Sequence, residues 1–384
     1  MVDIYMLPAY EGDCLLIRYG TTNKHNILVD GGVSINKNDI SDIIEYIYDQ
    51  GEKLDIIVSH IDGDHIQGLI SGINEVADIK LQSCVSSVYF NHRKSIAEKL
   101  LLEDIPSEGA AEDLITVSLC SGSGYSVSEA VSLMGILKMK GLESKIDGYV
   151  DFERTITIAD ATLKVISPSE KELKALITEW TAEADGKLQQ NVGYSSKFPK
   201  DLDKDLAELM SEKLPPADNN VTNKSSIAFI FEYEDVKVVF LGDAVPSVIC
   251  NGLEAHGIQE PLQVDAIKVS HHGSSRNISQ KLLTILQTDT YLMSTNGKTL
   301  HGQRTVPGKT GIAHILKNRD GEDVHIVCNY DWWDICYQDN FFSEKDKHDY
   351  LETNKLRLHS LAEQCVSIKE GLNVYGEWDD RCRL

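Results

Sequence analysis

The stretch Ser59-His60-Ile61-Asp62-Gly63-Asp64-His65 constrains this chain most, because it places two imidazoles and two carboxylates within six positions. It directly follows the apolar run Leu54-Asp55-Ile56-Ile57-Val58, which reads as a buried strand. A strand that delivers ligands onto a loop leaves coordination positions open for water and substrate, and imidazole with carboxylate suits Zn, Mn or Fe. A lone His-Asp pair at a strand end is usually an ordinary turn, but four such residues so close together are a metal-ligand spacing.

A catalytic metal centre draws ligands from several strand ends, and the chain offers more of them. Val236-Lys237-Val238-Val239-Phe240-Leu241-Gly242-Asp243 is a β-rich run with a carboxylate at its tip, placed to bridge two metals. Ala266-Ile267-Lys268-Val269 ends in His271-His272-Gly273-Ser274. Neighbouring side chains on a strand point to opposite faces, so one of that pair is expected as a ligand unless the chain turns there. A third run, Thr290-Tyr291-Leu292-Met293-Ser294, leads to His301. His92 is the only histidine between the first cluster and the Gly242-Asp243 pair; it follows a strand-like run and is either a further ligand or a structural histidine.

These motifs resemble those of the metallo-β-lactamase-fold hydrolases, in particular the branch similar to the soluble domain of the competence protein ComEC. The superfamily's His-x-His-x-Asp-His appears here with Asp62 in place of the second histidine, the form of that branch, and Lys268-x-x-His271-His272-Gly273-Ser274 is likewise characteristic of it. Leu28-Val29-Asp30-Gly31-Gly32, Gly12-Asp13 and Asn223-Lys224-Ser225-Ser226 are weaker matches, and the likeness covers about residues 1–305 with gaps. It implies an α/β fold, the four-layer αβ/βα sandwich of two mixed sheets covered by helices. Short β-branched runs alternating with helical stretches at residues 39–49 and 97–102 agree with that pattern.

The resemblance also implies a metal-dependent phosphoester hydrolase, a phosphodiesterase or nuclease first of all, holding two divalent ions, Zn or Mn. Asp62 in place of histidine tilts the choice towards Mn. The expected ligands are His60, Asp62 and Asp243, with His92, for one ion, and Asp64, His65, Asp243 and one of His271 or His272 for the other. A metal-bridging hydroxide attacks phosphorus, with Asp64 in the catalytic set. The other member of the His271/His272 pair, or His301, protonates the leaving group or steadies charge. Asp30 orients the metal loop, and Lys268 points away along its strand.

Net charge is −23, which counts against a processive duplex nuclease and favours small or flexible phosphoesters, single-stranded nucleic acid among them. The alternatives are a small-molecule phosphoesterase similar to phosphorylcholine esterase, and a regulatory component of a bacterial defence assembly; a lactonase or thioesterase fits less well. Eight cysteines without a Cys-x-x-Cys pair read as thiols in a reducing compartment, and no apolar run approaches the length of a membrane span, so a cytoplasmic protein is expected. Residues 1–328 are expected to form the hydrolase domain. An insertion at about 94–220 carries a helical stretch at 127–140 and is a candidate lid. Residues 329–384 form an aromatic, then helical, extension that packs on the core and offers a surface for protein partners.

Overall fold

The computed structural model describes residues 1–102, 126–184, 201–297, 306–333, 341–362 and 364–378. His301 and the Ser121-Gly122-Ser123-Gly124 tract lie outside them.

Two mixed eight-stranded sheets form the body. The first runs, edge to edge, through Val366–Lys369, Leu372–Tyr375, Val2–Met6, Leu15–Tyr19, His25–Val29, Lys53–Val58, Val85–Phe90 and Ile146–Asp147. The second runs through Leu356–Ser360, Val324–Cys328, Thr290–Met293, Ala266–Lys268, Val236–Phe240, Ala228–Tyr233, Ala161–Ser167 and Thr155–Ile158. In each, antiparallel hairpins are joined to a block of parallel strands.

Period-two alternation assigns the faces. In Lys53–Val58, Leu54, Ile56 and Val58 face a layer of helices, whereas Ile57 turns to the second sheet. Ile4, Ile17 and Ile27 of one sheet pack with Phe229, Phe231 and Val238 of the other in a shared core. Outside the first sheet lie helices Lys37–Asp49 and Gly63–Glu75, which bury Ile40, Ile43, Ile44, Ile47, Ile66, Leu69 and Ile73 at helical spacing. Pro246–Ala255, Gln280–Ile285 and Lys309–Asn318 cover the second sheet in the same way. The arrangement is therefore the four-layer αβ/βα sandwich.

Three stretches take on more definite form in the structure than in the sequence. Within the stretch read as an insertion at about 94–220, described residues join the body: Ile146–Asp147 closes the first sheet, Thr155–Ile158 and Ala161–Ser167 close the second, and helix Ser126–Met139 packs on Gly63–Glu75. The tail is helical at Glu344–Asp346 and Lys347–Leu351, then stranded at Leu356–Ser360, Val366–Lys369 and Leu372–Tyr375. Leu356 and Leu358, Val366 and Ile368, then Leu372 and Val374 alternate at period two, and Gly371 at φ +82° turns the last hairpin. The tail thus completes both sheets. Its aromatics Trp332, Phe341 and Phe342 are buried against the second sheet's helices. The 97–102 helix lies slightly earlier, at Arg93–Lys99.

Candidate metal centre

Carboxyl ends of parallel strands from both sheets meet at one edge of the sandwich, where α/β folds commonly place their ligands. Val58 leads into Ser59 and His60, and the chain enters helix Gly63–Glu75 at once, so Asp64 and His65 sit on its first turn. Phe240 leads through Gly242, at φ +48°, to Asp243. Lys268 leads to His271 and His272, which have φ of +49° and +55°. Two successive non-glycine residues in the left-handed region are unusual and costly, and they break the strand's alternation. As a result both imidazoles turn to the same side: the chain turns there, the condition under which strand alternation does not limit the pair to one inward-facing ring.

Asp243 lies at the centre and is buried. Its Oδ2 is 3.9 Å from His60 Nε2 and 3.8 Å from His271 Nε2, and His60 Nε2 is 3.6 Å from Asp62 Oδ2. Its Oδ1 is 3.6 Å from both His65 Nε2 and His272 Nε2, which lie 3.8 Å and 3.5 Å from Asp64 Oδ2. One carboxylate thus serves two half-sites: His60, Asp62 and His271 on one oxygen, Asp64, His65 and His272 on the other.

The hydrogen bonds behind the rings settle which nitrogen faces inward. His65 Nδ1 is 2.8 Å from Asp30 Oδ2, and His60 Nδ1 is 2.9 Å from Ser59 Oγ, whose hydroxyl donates to Asp30 at 2.6 Å. Ser59 N–H also donates to Asp30 Oδ1 at 2.7 Å, so Asp30 holds the metal loop as expected of it. His272 Nδ1 donates to the Ser294 carbonyl at 3.1 Å. With the proton fixed on Nδ1, each Nε2 presents a lone pair. Two glycines allow this closeness. A Cβ on Gly68 would stand 1.8 Å from the Gly31 carbonyl oxygen, and one on Gly12 1.8 Å from that of Asp64.

Four buried atoms at the centre, His60 Nε2, His65 Nε2, His272 Nε2 and Asp243 Oδ1, have no hydrogen-bond partner. Buried polar atoms are rarely left so, since each costs about 1–3 kcal/mol. A cation bound about 2.1 Å from each ligand separates neighbouring ligand atoms by roughly 3–4 Å, which the spacing here matches. The donor set of imidazole and carboxylate fits divalent Zn or Mn. Burial opposes charge on Asp64 and Asp243, yet the surrounding imidazoles hold both carboxyls below the usual range. Burial likewise opposes charge on His272, but Asp243, Asp13 and Asp64 push it up to about 10. Cations and protons therefore compete for the same carboxylates.

His92 is not among the converging groups; its ring packs against Phe90 and Trp180, each 5.9 Å away between centroids. Lys268 does not point away: it is fully buried, with Nζ 2.6 Å from Asp13 Oδ2. Asp13, whose Oδ1 is 3.6 Å from His272 Nδ1, and Asp218, whose Oδ2 is 3.4 Å from His271 Nδ1, back the site without having been singled out for that part. Gly12-Asp13 was visible as a turn. For Asp218 the only signal is its place a few residues ahead of Asn223.

The protein is therefore an α/β sandwich with a buried histidine–aspartate centre fit to hold two divalent cations. No family model matches the chain, and no curated protein matches it. Among solved structures it is similar to CmlA, a diiron beta-hydroxylase from Streptomyces venezuelae, at 11% identity and TM-score 0.35, over 76% of this chain and 44% of that one. A diphosphatase of the PhnP family matches at 9% identity and TM-score 0.35, over 91% and 81%. A protein of unknown function from Enterococcus faecalis matches at 10% and 0.32, over 96% and 78%. The chain spans about half the length of the CmlA chains it matches. Among the described residues, no helix is long and apolar enough to cross a membrane.

Proposed function

We propose that the chain is a metal-dependent hydrolase of phosphoesters, most favourably phosphodiesters, as the likeness of its motifs to the ComEC-like branch implies. The observation that carries this reading is the division of Asp243 between two half-sites, each lined by inward-facing Nε2 atoms. Two divalent cations held there supply a water of lowered pKa and a clamp for the non-bridging phosphate oxygens. The chain's part is to fix that geometry beforehand. Asp30 and Ser59 lock His60 and His65, Ser294 locks His272, and the left-handed turn at His271 and His272 aims both rings at Asp243.

Small or short substrates are favoured over long nucleic acid. Glu129, on helix Ser126–Met139, bonds to Gln67 and lies near Asp62 and Asp64, and Glu179 lies near Asp62. The net charge of −23 gives a field that repels polyanions.

The test is hydrolysis of labelled single-stranded DNA and of bis(p-nitrophenyl) phosphate side by side, with Mn or Zn, using Asp64→Ala as control. Turnover of the small diester, lowered at least about 100-fold in Asp64→Ala, is the expected result. DNA cleavage lost in the variant makes the protein a nuclease. Silence on both substrates in protein shown to hold metal contradicts the reading and leaves the alternative of a regulatory component.

A further inference from the structure

Three of the four inward-facing histidines are held by residues at the ends of the central strands. The fourth, His271, is held from elsewhere. Asp218 lies on the segment leading into helix Val221–Lys224 and is buried, with Oδ2 3.4 Å from His271 Nδ1. It is itself tightly fixed. Oδ2 accepts from Asn223 Nδ2 at 2.7 Å, and Oδ1 from the Asn220 N–H at 3.1 Å. Its own N–H donates to the Arg276 carbonyl at 3.3 Å, while the Arg276 guanidinium donates to the carbonyls of Pro216 and Ala217 at 3.2 and 3.4 Å. Arg276, five residues beyond His271, thus pins the chain that carries the carboxylate.

Asn223 Nδ2 also lies 3.3 Å from His271 Nδ1. Were Nδ1 bare, that amide would donate to it, leaving the ring proton on Nε2, where it faces Asp243 Oδ2 and bars a cation. The Asp218 carboxylate places the proton on Nδ1 instead. Nε2 then turns a lone pair to Asp243 Oδ2, 3.8 Å away.

We propose that Asp218 is a positioning residue that sets the tautomer of His271 and thereby the affinity of one cation position, the one shared by His60, Asp62, Asp243 and His271. This rests on the two-cation reading above. The other position, with Asp64, His65 and His272, is backed by Asp30, Asp13 and Ser294, so Asp218 leaves it unaffected. Occupancy of the two positions is therefore separable, with the first governed by the segment at residues 216–224.

The experiment is equilibrium dialysis of the full chain against Zn, with metal content read by mass spectrometry and a parallel Co titration read by its d–d spectrum. The variants are Asp218→Asn, Asp218→Glu and Arg276→Ala, with circular dichroism to confirm folding. Wild type is expected to take up two ions. Asp218→Asn leaves one step unchanged and weakens the other 10- to 100-fold. Asp218→Glu, which retains the charge, recovers part of that loss. Arg276→Ala, at an exposed position, weakens the same step without touching the buried carboxylate, and it decides the matter if Asp218→Asn does not fold. Two unchanged steps in the folded variants, or equal loss of both, overturns the proposal. Wild type that binds no Zn or Co overturns the two-cation reading itself, and the proposal with it.

Discussion

Lys268 and Asp13, 255 positions apart in sequence, meet as a buried ion pair with Nζ 2.6 Å from Oδ2, directly behind His272. Burial opposes charge on the Asp13 carboxyl, yet Lys268 and His272 hold it well below the usual carboxylate range. Removing one partner of such a pair strands the other. Lys268→Met is therefore expected to cost about 3–5 kcal/mol in urea unfolding, and Lys268→Met combined with Asp13→Leu to recover part of it. A single variant within 1 kcal/mol of wild type, on the order of a surface change, contradicts this.

Gly68 and Gly31 mark where helix Gly63–Glu75 meets the Asp30 loop, with Gly31 N–H donating to the His65 carbonyl at 2.7 Å and Gly68 N–H to that of Gly32 at 3.0 Å. Gly68→Ala forces the two apart, for a loss of about 3 kcal/mol accompanied by reduced metal content. Gly51→Ala, at φ +69° in open space, is the control. It is expected to cost about 1 kcal/mol with metal content unchanged.

Asp55 is buried between the sheets, and burial raises its carboxyl to about 6 even though the Ser87 hydroxyl bonds to it. The sign follows from the unfolded value of 3.8. Below pH 3.8 both states carry the proton and the group costs nothing. Between there and pH 6 the unfolded chain ionises first, so stability falls by about 3 kcal/mol as pH rises. Asp55→Asn is expected to match wild type near pH 3.5 and exceed it by about that amount at pH 8. Equal unfolding midpoints at pH 8 contradict the prediction.

Chelation is expected to destabilise the fold more at high pH. In metal-free protein His272 is raised to about 10, above its unfolded 6.5, so its contribution is complete below pH 6.5 and is lost as pH rises towards 10. Cation binding, which displaces those protons, strengthens over the same range. Melting curves with EDTA and with Zn should therefore diverge further at pH 9 than at pH 6. A constant gap contradicts the competition between protons and cations.

How much of this was legible in the chain depends on sequence separation. His60 to His65, and Gly242-Asp243 after its strand, declare themselves because their ligands are contiguous with the element that carries them. The pairing of Asp13 with Lys268, and of Asp218 with His271, does not, since each contact exists only once distant segments have packed. Strand alternation allows one ligand from the His271-His272 pair unless the chain turns there, and only the folded backbone, with two left-handed residues, shows that it does. The extension from 329 reads as aromatic and then helical, which holds at residues 344–351, but the leucines and valines beyond alternate at period two and form strands. His92 looked available because it follows a strand, but a strand end does not say which face the next side chain takes.

The most direct test of the central claim is anomalous diffraction at the zinc edge from crystals grown with Zn. The account predicts two peaks about 3.5–4 Å apart, one on each side of the Asp243 carboxylate, the first beside His60 and His271 and the second beside His65 and His272. A single peak, or peaks that leave Asp243 bound through one oxygen only, would contradict it.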